Sequence, residues 1–169
     1  MRDVVIVDSV RTGLTKAFRG SFNLTRSDDM LAHCIDSLLD RNPNLSPEEV
    51  EDVVVGAATH AGEQDGNLAR LAVVLSKLPI TVAGVSINRF CSSGLQAIAI
   101  AANQIASGQT EVAIAGGVDS ISMRTRQEPG KAKQNQRLLD DKPEIFMAMG
   151  NNAEVVARRY QVTREMQDE

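Results

Sequence analysis

Residues 87–108 read INRFCSSGLQAIAIAANQIASG, from Ile87 to Gly108. The stretch joins two kinds of periodicity. Thr81 to Ile87 alternates loosely, as a strand does. Ser92 to Ser107 is an unbroken run of small and apolar residues, too long for a strand, and Gly108 ends it as a helix C-cap would. Between them Asn88-Arg89-Phe90 turns the chain, and Cys91 stands where the helix begins. A strand, a tight turn and a helix in this order form half of a βαβ unit, the building block of parallel sheets.

Outward from this stretch the alternation repeats. Val4 to Val7 is a short β-branched run, expected to be a strand buried on both faces. Ser27-Asp28-Asp29 is expected to start a helix, the serine as cap and the carboxylates at the positive end of its dipole. Leu31, Cys34, Ile35, Leu38 and Leu39 then share one apolar face, with His33 and Asp36 on the other. Ser46-Pro47-Glu48-Glu49 is a capping box with proline at the first helical position. Val53 to Val55 is a second strand, residues 67–78 a second helix, and Glu111 to Ala115 a fourth strand closed by Gly116-Gly117. The order is βαβαβαβ to about residue 122. It predicts an α/β fold: a mostly parallel sheet with helices on both faces and right-handed crossovers.

Beyond Met123 the chain becomes polar, and Pro and Gly punctuate it through residue 146. Helical character returns from Asn151 to about Tyr160, with Asn151 and Glu154 as a cap pair, and Thr163 is placed to cap a further helix. Two domains follow: 1–122 as an α/β unit, and 123–169 as the start of a separate, truncated segment.

Composition narrows the function classes. Net charge is −4 and the basic residues are scattered, so no stripe exists for nucleic acid. No apolar run is long enough to span a membrane. The N-terminus reads as a strand from its third residue, and a signal or transit peptide is not expected there. Two cysteines, Cys34 and Cys91, are too few for a disulfide framework and suit a reducing, cytoplasmic setting. Aromatics make up 3% of residues, so the core must be aliphatic and rich in alanine.

Two readings of Cys91 stay open on the residues alone. At the carboxyl edge of a parallel sheet, where α/β folds place ligands, helix-start N–H groups favour a thiolate and can hold an oxyanion. The other reading is a small buried hydrophobe, which free cysteine often is. A helix apolar all round is a buried helix, which would set Cys91 at the floor of a cleft. Cys-x-x-Gly has no second ligand cluster here and is not a metal site. Cys34 belongs to an apolar stripe and is expected in the core. His33 is expected in solvent and His60 in a loop near the sheet edge. GEQDGNLAR, residues 62–70, lacks the order and the lysine of a phosphate loop.

The segment NRFCSSGLQAIAIAANQIASGQTEVAIAGGVDSISM, residues 88–123, resembles the active-cysteine signature of the thiolases. Residues 4–22, VVIVDSVRTGLTKAFRGSF, look like the thiolase N-terminal strand and the loop after it. Residues 56–79 are similar to the segment that carries Asn-x-Ala-Arg, and residues 149–169 to a loop-domain helix and the start of the next. The form NRFCSSGLQA is most similar to 3-ketoacyl-CoA thiolases, with acetoacetyl-CoA thiolases as near neighbours and the condensing synthases a poorer fit.

The resemblance implies an acyltransferase. Cys91 would attack a 3-ketoacyl-CoA, release acetyl-CoA and pass the shortened acyl group to CoA. Its own backbone N–H would belong to an oxyanion hole, and Met149 would border the acyl pocket. Acyl-CoA and CoA would be the partners, with CoA a co-substrate and no metal or prosthetic group. The assembly would be a homodimer or homotetramer. The implied fold is duplicated, and these residues match an incomplete first half plus the beginning of an inserted loop domain. The family's Gly-His-Pro, Cys-x-Gly and Asn-Glu-x-Phe motifs do not occur in the 169 residues. The chain as given is therefore expected to be an inactive fragment. The rival is a truncated, non-catalytic binding or dimerisation module.

Overall fold

A computed structural model describes residues 2–123 and 134–169. The chain divides into two compact units, Met1–Pro129 and Gly130–Glu169. Residues 124–133, the first part of the polar stretch after Met123, lie outside the described residues.

The first unit is a parallel α/β layer structure. Its elements are α1 (Ser27–Arg41), β1 (Asp52–Gly56), α2 (Leu68–Leu75), β2 (Ala83–Ile87), α3 (Ser93–Ser107) and β3 (Ala113–Gly117). The strands form a three-stranded sheet in the order β2-β1-β3. Both pairings are parallel, and in register Asp52 lies opposite Ala83 and Ala113, and Gly56 opposite Ile87 and Gly117. From β1 the chain crosses one way over one face through α2. It then crosses back over the other face through α3. Reversing both direction and face keeps one hand for the two crossovers.

Alternation along β1 splits the core. Val53 and Val55 pack with Leu31, Ile35 and Leu39 of α1 and with Leu68, Ala69, Ala72 and Val73 of α2. Val54 turns the other way, onto Ala97 and Ala101 of α3. β1 is buried on both faces because it is the middle strand, which suits its unbroken valine run. Among the described residues the outer edges of β2 and β3 have no partner strand.

The expected first strand is not formed. Val5, Ile6 and Val7 are 76%, 78% and 82% exposed, and no strand is assigned there. A β-branched run becomes a strand only beside another strand, and among the described residues none lies beside this one. The order is therefore αβαβαβ rather than βαβαβαβ. Polar tethers hold the segment instead. Arg41 pairs with Asp8 at 2.7 Å, and Asn42 Nδ2 donates to Asp8 Oδ2 at 3.0 Å. The Ser9 N–H also donates to Asp8, which keeps that carboxyl below its ordinary range.

Two other expectations are corrected. Ser27 does not cap α1; it is the first helical residue, and Arg26 is the N-cap with no side-chain bond. The last strand begins two residues later than expected and takes in Gly116 and Gly117. The capping box at Ser46 is present in full, as a short 3-10 turn over Pro47–Glu49.

The second unit carries α4 (Gln136–Asp141), a 3-10 turn at Pro143–Phe146, α5 (Met149–Tyr160) and α6 (Arg164–Asp168). α5 starts at Met149, capped by Ala148 backbone, so Asn151 and Glu154 are not its cap pair. Thr163 caps α6 as expected, accepting from the Met166 N–H at 3.3 Å. None of these elements contains a buried residue.

A paired substitution separates the two apolar runs. Ile6→Thr should change unfolding free energy by less than about 0.5 kcal/mol. Val54→Thr, at a fully buried position, should cost about 2 kcal/mol or more. Urea titration followed by circular dichroism reads both.

Candidate active site

β1 and β2 are adjacent, and their connections leave to opposite faces of the sheet. Loops that part in this way open a crevice at the carboxyl ends of the strands. Cys91 lies on that edge, one residue before the N-cap Ser92 of α3, and it is exposed. It is shared by two cavities. One, of about 260 Å³, has Phe90, Ser93, Gly94, Gly117, Val118 and Asp119 on its walls. The other, of about 670 Å³, runs between β3, α1 and the N-terminal segment.

The turn is built by its own side chains. Asn88 Oδ1 accepts from the Phe90 N–H at 2.7 Å, and its Nδ2 donates to the Ala58 carbonyl at 3.0 Å, tying the turn to the loop after β1. Ser93 Oγ accepts from the Arg89 N–H at 2.8 Å and donates to the Phe90 carbonyl at 2.6 Å. Phe90 takes φ 47°, in the left-handed region. A non-glycine residue held there costs roughly 1–3 kcal/mol and needs surroundings that enforce it. Among the described residues no acceptor takes the backbone N–H of Cys91, Gly94 or Leu95. Three donors are thus left at the helix start that carries the sulfur.

Glycine lets the helix start come this close. A Cβ on Gly56 would lie 2.2 Å from the Ser93 carbonyl carbon and 2.7 Å from the Gly94 nitrogen. A Cβ on Gly117 would lie 2.7 Å from the Gly56 carbonyl oxygen and 3.1 Å from Gly94 Cα. These are backbone atoms and cannot swing aside. α3 therefore rests directly on the ends of β1 and β3, and Cys91 is held at the sheet edge by main-chain contact.

The expected burial of α3 is not found. Ser93, Ala97 and Ala101 are buried against the sheet, but Leu95 is 71% exposed. One face packs and, among the described residues, the other has no layer over it, so Cys91 is on an open edge rather than a cleft floor. Cys34 is half-buried on α1 and lines the larger cavity with Cys91. Burial pushes the Cys34 thiol above its ordinary range, and a backbone hydrogen bond from Thr12 pulls the other way. His33 is exposed. His60 is placed near the sheet edge, where its Nε2 is 3.1 Å from the Ala57 carbonyl and 3.3 Å from that of Ile87. Both partners are acceptors, so Nε2 carries the proton. Met149 is 76% exposed at the start of α5, in the second unit. Among the described residues no group of three His, Cys, Asp or Glu side chains could hold a metal ion.

Sequence reasoning passed over a polar cluster beside this edge, buried at Ser27, Glu63, Gln64 and Ser120 and exposed at Asp119. Glu63 and Gln64 stand in the loop after β1 and are buried. Glu63 Oε1 accepts from the Ser27 N–H at 2.9 Å, and the single Ser27 hydroxyl proton is shared between Glu63 Oε1 at 2.9 Å and Gln64 Oε1 at 2.8 Å. Gln64 Oε1 accepts from Ser27 Oγ at 2.8 Å and from the Ser120 N–H at 2.7 Å. Its Nε2 donates to the Thr59 carbonyl at 2.7 Å and to Asp119 Oδ1 at 3.1 Å. Asp119 Oδ2 accepts from the Ala58 N–H at 2.8 Å. By local pattern Ser27 reads as a helix cap, and nothing in that pattern reports that it meets Glu63 and Gln64 in space.

The fold and this edge define a class: a parallel α/β protein with a thiol on the helix start after a central crossover. The thiolase N-terminal domain matches residues 4–169, and the chain belongs to the thiolase family. It is 41% identical over 168 residues to a 3-ketoacyl-CoA thiolase of Bacillus subtilis (strain 168), covering 99% of this chain and 42% of that protein. It is 39% identical over 184 residues to the β-ketoadipyl-CoA thiolase of Pseudomonas putida, covering 99% and 46%. Against 3-ketoacyl-CoA thiolase 1, peroxisomal, of Arabidopsis thaliana, identity is 38% over 167 residues, covering 99% and 38%. The chain thus spans about two fifths of the length of these curated relatives. No helix among the described residues is long and apolar enough to cross a membrane.

Two outcomes follow, one from the packing at Gly56 and one from the exposure of Cys91 against the half-buried Cys34. Gly56→Ala should destabilise the chain by about 3 kcal/mol in urea unfolding, because backbone must move to admit the methyl. In the wild-type chain a neutral alkylating reagent at pH 7.5 should label Cys91 about tenfold or more faster than Cys34, counted by peptide mass spectrometry.

Proposed function

We propose that this thiolase-family protein is an acyltransferase that cleaves 3-ketoacyl-CoA with CoA through a thioester on Cys91. The Cys91 thiolate adds to the keto carbon, and the bond from that carbon to the α-carbon breaks. The α-carbon takes a proton and leaves as acetyl-CoA, while the shortened acyl group stays on sulfur. A CoA thiolate then takes the acyl group and frees Cys91. A covalent intermediate divides one hard cleavage into two easier transfers. The observation that carries this reading is the set of free N–H donors around Cys91 at the carboxyl edge of the sheet.

Several finer assignments belong to the same proposal. CoA acts as co-substrate, with no prosthetic group. Met149 borders the acyl pocket, on the likeness of its segment to the family's. A homodimer or homotetramer in a reducing, cytoplasmic setting is part of the reading. It is supported by the exposed apolar side chains Leu71, Val74 and Leu75 on α2 and Leu95 and Ile98 on α3. The 169 residues alone do not turn over. Of their two histidines, His33 faces solvent, and neither His33 nor His60 lines either cavity that Cys91 shares. Among the described residues no histidine thus stands beside the thiol as a base would.

The test is incubation of the full-length protein with an acyl-CoA, followed by peptide mapping. The acyl mass should appear on the peptide containing Cys91, and Cys91→Ala should lower thiolysis at least about a thousandfold. An acyl group on another residue, or unchanged turnover in the variant, would overturn the proposal.

A further inference from the structure

Asp119 is an exposed carboxylate on the wall of the smaller cavity that Cys91, also exposed, lines. A negative charge there opposes a thiolate, because like charges disfavour each other's ionised forms. The geometry shows how the conflict is managed. Both carboxylate oxygens are turned onto donors of the loop after β1, Oδ2 onto the Ala58 N–H and Oδ1 onto Gln64 Nε2. Gln64 is 1% exposed, and its amide has four partners: Nε2 donates twice, and Oε1 accepts from the Ser120 N–H and from the Ser27 hydroxyl that it shares with Glu63. Its own position is set by Ser27 at the start of α1 and by the Ser120 N–H next to Asp119. A neutral, rigidly seated amide thus fixes where a charge points.

We propose that Gln64 is a positioning residue for Cys91: it clamps the Asp119 carboxylate against the loop after β1 and so keeps that charge from the sulfur. This rests on the reading of Cys91 as the nucleophile. Gln64 touches neither substrate nor sulfur; it acts through Asp119. The other charged groups on this edge are Arg11 and Lys16, on the wall of the larger cavity, and Arg89 in the turn, whose guanidinium pairs with Gln96. Across the edge, His60 holds the Ala57 and Ile87 carbonyls, and Glu63 holds Ser27. Among the described residues none of these pairs with Asp119, so its placement depends on Ala58 and Gln64.

The experiment is the pH profile of Cys91 alkylation by iodoacetamide in the whole 169-residue chain, with Cys34 as internal reference and peptides resolved by mass. Gln64→Met removes all four hydrogen bonds without adding charge. It should raise the midpoint of the Cys91 profile by about half a unit, as a released carboxylate turns toward the sulfur. Adding Asp119→Asn should cancel that rise, although thermal stability stays low. If Gln64→Met does not fold, Gln64→Asn retracts the amide by one methylene and carries the same expectation. A lowered melting temperature with an unmoved midpoint would make Gln64 merely structural and overturn the inference. So would a rise that persists in the Gln64→Met, Asp119→Asn double variant. The nucleophile reading fails separately, if wild-type Cys91 reacts no faster than Cys34.

Discussion

The main-chain contact between the start of α3 and the ends of β1 and β3 is what the rest of the first unit depends on. Gly56, Gly94 and Gly117 meet there with no side chain between them. Moving α3 outward by even one methyl would lift Ala97 from Val54 and carry Cys91 away from the sheet edge. The same closeness explains the alanine-rich inner face of α3. Only small residues keep a helix axis this near a sheet along its length. Chemistry at Cys91 is thus prepared by packing that contains almost no side-chain volume.

The polar cluster of Ser27, Glu63, Gln64, Asp119 and Ser120 does for the loops what the glycines do for the helix. It ties the start of α1, the loop after β1 and the loop after β3 into one rim. Ser27, Glu63, Gln64 and Ser120 are buried and hold such a rim firmly, because a displaced member loses its partner where water cannot replace it, while Asp119 is exposed at its outer end. Residues far apart in sequence are thereby fixed at one edge of the sheet.

The unpacked surfaces are equally informative. Val5, Ile6 and Val7, the outer face of α3, and much of α2 expose large aliphatic side chains. Each has the composition of a buried element and lacks a neighbour among the described residues. Burial is a property of a pair of surfaces, and a pattern of apolar residues specifies only one member of the pair.

By itself the sequence determined the local elements of the first unit and its class. The capping box at Ser46, the valine run of β1, Gly108 closing α3 and the place of Cys91 at a helix start were all legible, because each depends on neighbours a few residues away. The thiolase signature in residues 88–123 pointed to the family that the match over residues 4–169 established. Only the tertiary structure decided the rest. It left Val4–Val7 unpaired, made Ser27 a partner of Glu63 and Gln64 instead of a cap, and left Cys91 exposed. It also brought Asp119 and Gln64 to the edge where the sulfur lies. Strand pairing, burial and polar partnership are settled between residues distant in the chain, and local periodicity holds no record of which distant residue arrives.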